Sequence, residues 1–157
     1  MAERSGDEAI FENCFWNAWH GNGLRSALEG WRPHLAVHFS PIVLLLLPLY
    51  GLSPSMHGVH LVVALAIAAA GYAFYRLSRL TLDTSSSTLL MSAFLLHPTI
   101  VLQTFTDFHE QALGVLPLVM MFLAYRQWQA RWAALWGLLF VMARAVNHRA
   151  KAPEIEW

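Results

Sequence analysis

A chain of 157 residues with 57% hydrophobic and 13% charged residues and zero formal net charge departs from soluble proteins, which carry about 25% charged residues. The neutral balance gives no basic face for a nucleic-acid partner, and a single cysteine, Cys14, excludes a disulfide framework or a thiolate metal cluster. Residues 39–75, 84–106, 111–125 and 132–143 contain no Asp, Glu, Lys or Arg. Helices with so little polar face belong in lipid, because a soluble core covering them would need much more chain.

Residues 7–20 read as an amphipathic helix, with Ile10, Phe11, Cys14, Phe15, Ala18 and Trp19 on one side and Glu12, Asn13 and Asn17 on the other. Ser5 and Glu8 fit a capping box, and "GNG" at 21–23 ends the helix. Its aromatic face suits the headgroup zone. "MAERSGDEAIFENC" has no apolar run of signal-peptide length, so insertion is expected to depend on internal helices. A loop, "EGWRPHLAVH", leads to residues 41–54. That apolar stretch offers about twelve residues where a span needs roughly twenty, and Pro48 interrupts it. It is expected to be a re-entrant or interface helix.

Four membrane helices are expected next, over 57–77, 86–105 (kinked at Pro98), 111–126 and 131–146, followed by a polar tail at 147–157. Trp128, Trp132 and Trp136 mark an interface, and "ALAIAAAGYA" is a close helix-packing face. Arg76, Arg79, Arg126 and Arg131 belong on the cytoplasmic side by the positive-inside rule. Residues 1–40 and 106–111 then lie together on the external side. The fold class is thus all-α: a polytopic membrane helical bundle forming one domain over 1–157.

The chemistry-bearing residues fall in those external segments. Asp7 is either a helix N-cap or a carboxylate base at the membrane surface. His34 and His38 are four apart, a separation that suits a metal pair on a helix, although Pro33 and Pro41 disfavour a regular helix there. Asp107, His109 and Glu110 could coordinate a divalent cation, orient a phosphate or relay protons. His57 and His60 stand at the entry to a span, and His97 is placed to hydrogen-bond a carbonyl freed by Pro98.

Together, "GDEAIFENCFWNAWHGNG", "LAVHFSPIVLLLLPLYGLSP" and "TFTDFHEQALGVLPL" resemble DUF2079, a family of predicted bacterial and archaeal polytopic membrane proteins. The resemblance runs from residue 7 to about residue 140, with the three motifs in the family's order. That family looks related to the GT-C membrane glycosyltransferases, which use polyprenyl-phosphate sugars. The kinship implies a partial GT-C-like fold in a prokaryotic plasma membrane, with membrane lipid as a partner. It implies Asp7 as the catalytic base, with His38, Asp107 and His109 holding the donor phosphate or an ion, and His34 and Glu110 as further candidates. It also implies that the chain is a fragment of a longer member and could have lost activity. Two alternatives remain: a non-catalytic membrane fragment, and a transporter or proton-coupled membrane component, whose ionisable groups would line a path at the bilayer midplane.

Overall fold

The computed structural model describes residues 6–105, 108–143 and 146–147. Among the described residues the protein is all-α, apart from one two-stranded pair. Ser5, Asp107 and most of the 147–157 tail lie outside the described residues.

Helix α1 (Gly6–Trp19) places Asp7 and Glu8 in its first turn, where carboxylates offset the helix dipole. Asp7 is therefore inside the helix and does not serve as its cap. Gly21 and Gly23 adopt φ of 82° and 74°, a left-handed backbone that glycine takes without strain. The aromatic face expected among headgroups turns inward: Phe11, Cys14 and Phe15 are buried. Phe11 meets Phe108 edge-on at 4.7 Å, and Phe15 lies 5.5 Å from Tyr50. Burying each such ring is worth about 1.5–3 kcal/mol, so the contacts within the protein hold this face. Trp16 and Trp19 remain exposed.

A short 3-10 turn, Ala27–Glu29, follows, capped by Ser26. Helix α2 (His34–Val37) is a single turn after Pro33, and strand β1 (His38–Phe39) pairs antiparallel with β2 (Val146–Asn147). The pair returns the end of the described chain to His38. Residues Pro41–Leu46 form a 3-10 helix opened by Pro41, and α3 (Leu47–Leu52) continues from Pro48 in its first turn. Proline lacks the N–H that a continuous helix would need, which explains the change of helix type. Ile42, Val43, Leu46 and Tyr50 are buried while Leu45 and Leu52 are exposed, so this short segment has one inward and one outward apolar face.

Helix α4 (Met56–Ser78) starts at Ser55, whose hydroxyl accepts from the His57 N–H at 3.2 Å. Among the described residues it is the one helix long and apolar enough to cross a membrane, and only 33% of its apolar window is buried. A soluble core helix would be mostly covered. Helix α5 (Thr84–Leu95) is capped by Asp83, and α6 (Pro98–Phe105) begins at the proline. The expected 86–105 span is thus two helices rather than one kinked helix. The expected bond to a carbonyl freed by Pro98 is present through the backbone: the His97 N–H donates to Phe94 O at 3.2 Å, and His97 Nδ1 accepts the Thr99 N–H at 3.3 Å, which caps α6. A 3-10 turn, Glu110–Gly114, precedes α7 (Val115–Arg126), and α8 is described over Ala130–Ala143, while residue 146, the expected end of that span, lies in strand β2.

α4 packs against α5 and α7, and α7 against α8. The small-residue stretch of α4 makes the first contact possible: a Cβ on Gly71 would stand 2.7 Å from Leu95 Cδ2. α8 returns to the 110–114 turn, where a Cβ on Gly114 would lie 3.2 Å from Ala143 Cβ. The outward faces of α4, α5 and α8 carry Leu61, Leu65, Leu89, Leu138 and Val141, all exposed. Bare apolar ridges on this scale have a natural place in lipid or against further helices.

Candidate functional site

The start of α1, the 27–34 loop and the turn before α7 enclose a polar cavity of about 160 Å³. Its wall includes Asp7, Glu29, His34, His38, His109 and Glu110. Those residues come from the start of α1, the 27–29 turn, α2, β1 and the turn before α7. The remaining candidate, Asp107, is outside the described residues. The structure therefore brings Asp7, His34, His38, His109 and Glu110 together across more than 100 residues of sequence.

Glu29 organises the inner wall. His34 Nδ1 lies 2.9 Å from Glu29 Oε2 and 3.1 Å from Oε1. His38 Nε2 is 3.8 Å from Oε1, and the two imidazoles lie 5.4 Å apart. The His34 and Glu29 side chains are 2% and 6% exposed, so water screens their contact little. His34 also packs edge-on against Phe11 at 4.9 Å.

The local fold fixes this arrangement. Asn13 Oδ1 accepts the Ala27 N–H at 2.9 Å, and Asn17 Nδ2 donates to Arg25 O at 2.9 Å, fastening the loop that carries Glu29 onto α1. The His34 N–H donates to Leu24 O at 2.8 Å, and residues 25 and 33 form a bridge that closes the loop.

The outer rim is wetter. Asp7 Oδ2 lies 3.6 Å from His109 Nδ1, with the two side chains 57% and 43% exposed. Glu110 is buried. Beside the rim, His60 Nε2 stands 3.7 Å from Glu8 Oε2, in the first turns of α4 and α1. Arg76 and Arg79 sit at the opposite end of α4, with Arg76 about 24 Å along the axis from His60 at about 1.5 Å per residue.

Glu29 is the residue that sequence reasoning missed. Its signal was "SALE", a Ser-x-x-Glu capping pattern. Ser26 does cap the turn by accepting the Leu28 N–H at 3.2 Å, and the glutamate faces the two histidines. Cys14 was placed on the apolar face of α1, which is where it lies, fully buried.

A family model for DUF2079, described as a predicted membrane protein, matches residues 5–147. The chain belongs to that family. The matched region holds every residue of the cavity wall of this DUF2079 member, from the start of α1 to the strand beside His38. No curated protein and no solved structure matches it.

Proposed function

We propose that this membrane protein transfers a sugar from a polyprenyl-phosphate donor to an acceptor hydroxyl at the cavity beside the N-terminal end of α4. The observation that carries the proposal is the shared cavity of Asp7, His34, His38, His109 and Glu110, which makes one site out of groups scattered along the chain. In this reading the chain is multi-pass in a prokaryotic plasma membrane, with the cavity on the external face and Arg76, Arg79, Arg126 and Arg131 inside.

Each group has a chemical role. Asp7, half exposed at the rim, takes the proton from the acceptor hydroxyl as its oxygen attacks the anomeric carbon. The bond from that carbon to the phosphate oxygen breaks, and its electron pair leaves with the phosphate. His109, 3.6 Å from Asp7, orients the carboxylate. His38 would receive the phosphate end, directly or through a divalent cation that Asp107 would help to hold, with His34 and Glu110 behind His38. A cation or protonated imidazoles are needed, because Asp7, Glu29 and Glu110 otherwise present carboxylates to an anion. A cavity of about 160 Å³ is below the roughly 300–1,000 Å³ of sites that enclose a whole small molecule. It suits the phosphate end, leaving the sugar and lipid chain along the exposed apolar surface.

Proton-coupled transport has weaker support. α4 carries no Asp, Glu, Lys or Arg between His60 and Arg76, so this helix offers no charged step at mid-depth. The test is transfer of labelled sugar from a polyprenyl-phosphate donor in proteoliposomes. Asp7→Asn should lower the rate by ~10²–10⁴-fold, the usual contribution of general-base catalysis. An unchanged rate removes Asp7 from the mechanism, and no transfer by the unmodified chain defeats the proposal.

A further inference from the structure

Cys14 and Glu29 have no part in the transfer step, yet with His34 they form one group of donor atoms at the inner wall of the cavity. Cys14 Sγ, a Glu29 oxygen and a His34 ring nitrogen lie within 4.8 Å of one another. The three residues come from the middle of α1, the 27–29 turn and the start of α2, which the Asn13 and Asn17 hydrogen bonds hold together. A fourth donor stands beside them, His38 Nε2, 3.8 Å from Glu29 Oε1.

We propose that Cys14, Glu29 and His34, joined by His38, bind one thiophilic divalent cation of the zinc class at the floor of the cavity.

The donor set is the first argument. One sulfur, two imidazoles and one carboxylate suit a four-coordinate zinc-like ion. They do not suit magnesium or calcium, which take oxygen ligands. The second argument is independent of spacing. His34 is 1% exposed and lines the cavity, yet its Nε2 is buried with no hydrogen-bond partner among the described residues. Buried polar nitrogens are ordinarily paired. With Nδ1 held by Glu29, a cation gives this ring the partner it lacks, as direct ligand or in a carboxylate–histidine–metal arrangement.

Binding is balanced by loss of the thiol proton: the cation takes the sulfur lone pair and one proton passes to solvent. Entry runs past Asp7, His38 and His109, which leave the rim accessible.

The test uses the full chain, purified in detergent and stripped with a chelator, then titrated with Co²⁺ as a spectroscopic substitute for Zn²⁺. One Co²⁺ per chain, with thiolate-to-cobalt charge-transfer absorption that Zn²⁺ abolishes, is the expected result. Cys14 is the sole cysteine, so such a band identifies its ligand without any variant. Glu29→Gln and His34→Gln should each weaken Co²⁺ binding at least tenfold while the band persists at saturation. Cobalt bound without a thiolate band, or with affinity indifferent to both variants, overturns the proposal. So does absence of binding. A chain that binds cobalt and moves no sugar defeats only the transfer mechanism; one that moves sugar without the band defeats only this site.

Discussion

The Glu29–His34 contact allows the most direct energetic test of the inner wall. The perturbation is a double-mutant cycle: Glu29→Ala, His34→Ala and the pair together, measured with a chelator present so that no metal contributes. The contact is short, at 2.9 and 3.1 Å to the two oxygens, and both side chains are at most 6% exposed. Solvent screening, which reduces exposed pairs to about 0.2–1 kcal/mol, therefore does not apply. A hydrogen bond to a charged group contributes about 1.5–3 kcal/mol. Stranding a buried charge would cost about 3–5 kcal/mol, but an imidazole can release its proton instead. The coupling energy should therefore be about 1.5–3 kcal/mol. His34→Ala alone should cost more than Glu29→Ala alone, because it also loses the Phe11 edge contact at 4.9 Å, worth about 0.5–1.5 kcal/mol. Denaturation of the detergent-solubilised protein, followed by fluorescence of its seven tryptophans, supplies the four stabilities. A coupling below about 0.5 kcal/mol would refute a screened-from-water Glu29 held by His34.

Gly71→Ala tests the α4–α5 contact. Alanine gains about 1 kcal/mol in helix propensity, but its Cβ meets Leu95 Cγ and Cδ2 at 2.9 and 2.7 Å, and overpacking costs about 1–3 kcal/mol. Thermal unfolding should show net destabilisation, partly relieved when Leu95→Ala is added; a stabilised single variant would mean that the helices sit further apart. Asp83 gives a pH prediction. Hydrogen bonds from the Ser86 side chain and backbone hold its carboxyl below the usual 3.8. A lowered folded value means that the capping contribution is present above 3.8 and lost as pH falls below it. The stability gap between the natural chain and Asp83→Ala should narrow in acid, and a gap that widens there contradicts the cap.

Much of the architecture was legible because it depends on composition and local stops. The uncharged runs, the "GNG" end of α1 and the arginines Arg76 and Arg79 at the C-terminal end of α4 are local signals that track the apolar helices and their ends. Pro98 was legible as a disturbance but not in degree, since whether a proline kinks or divides a helix depends on neighbours such as His97 that can cap the new start. The inward turn of Phe11 and Phe15 was hidden for another reason. An apolar helix face fits a headgroup layer as well as a protein core, and only the position of Phe108 and Tyr50 decides between them. The candidate site was partly legible: Asp7, His34, His38, His109 and Glu110 stand out as polar groups beside uncharged segments. Glu29 lacked that contrast, sitting in a polar loop with Arg25 and Arg32 nearby, and its closeness to His34 and Cys14 arises from the Asn13 and Asn17 hydrogen bonds.

The account depends on residues near 36 and near 111 sharing one side of the membrane. Ala36 and Gln111 are both exposed, and the native Cys14 is buried, so Ala36→Cys and Gln111→Cys can each be probed in an otherwise unaltered chain. An impermeant maleimide applied to sealed, right-side-out vesicles should label both positions from the outside. Labelling of one only from outside and the other only from inside would separate the two halves of the cavity and contradict the account.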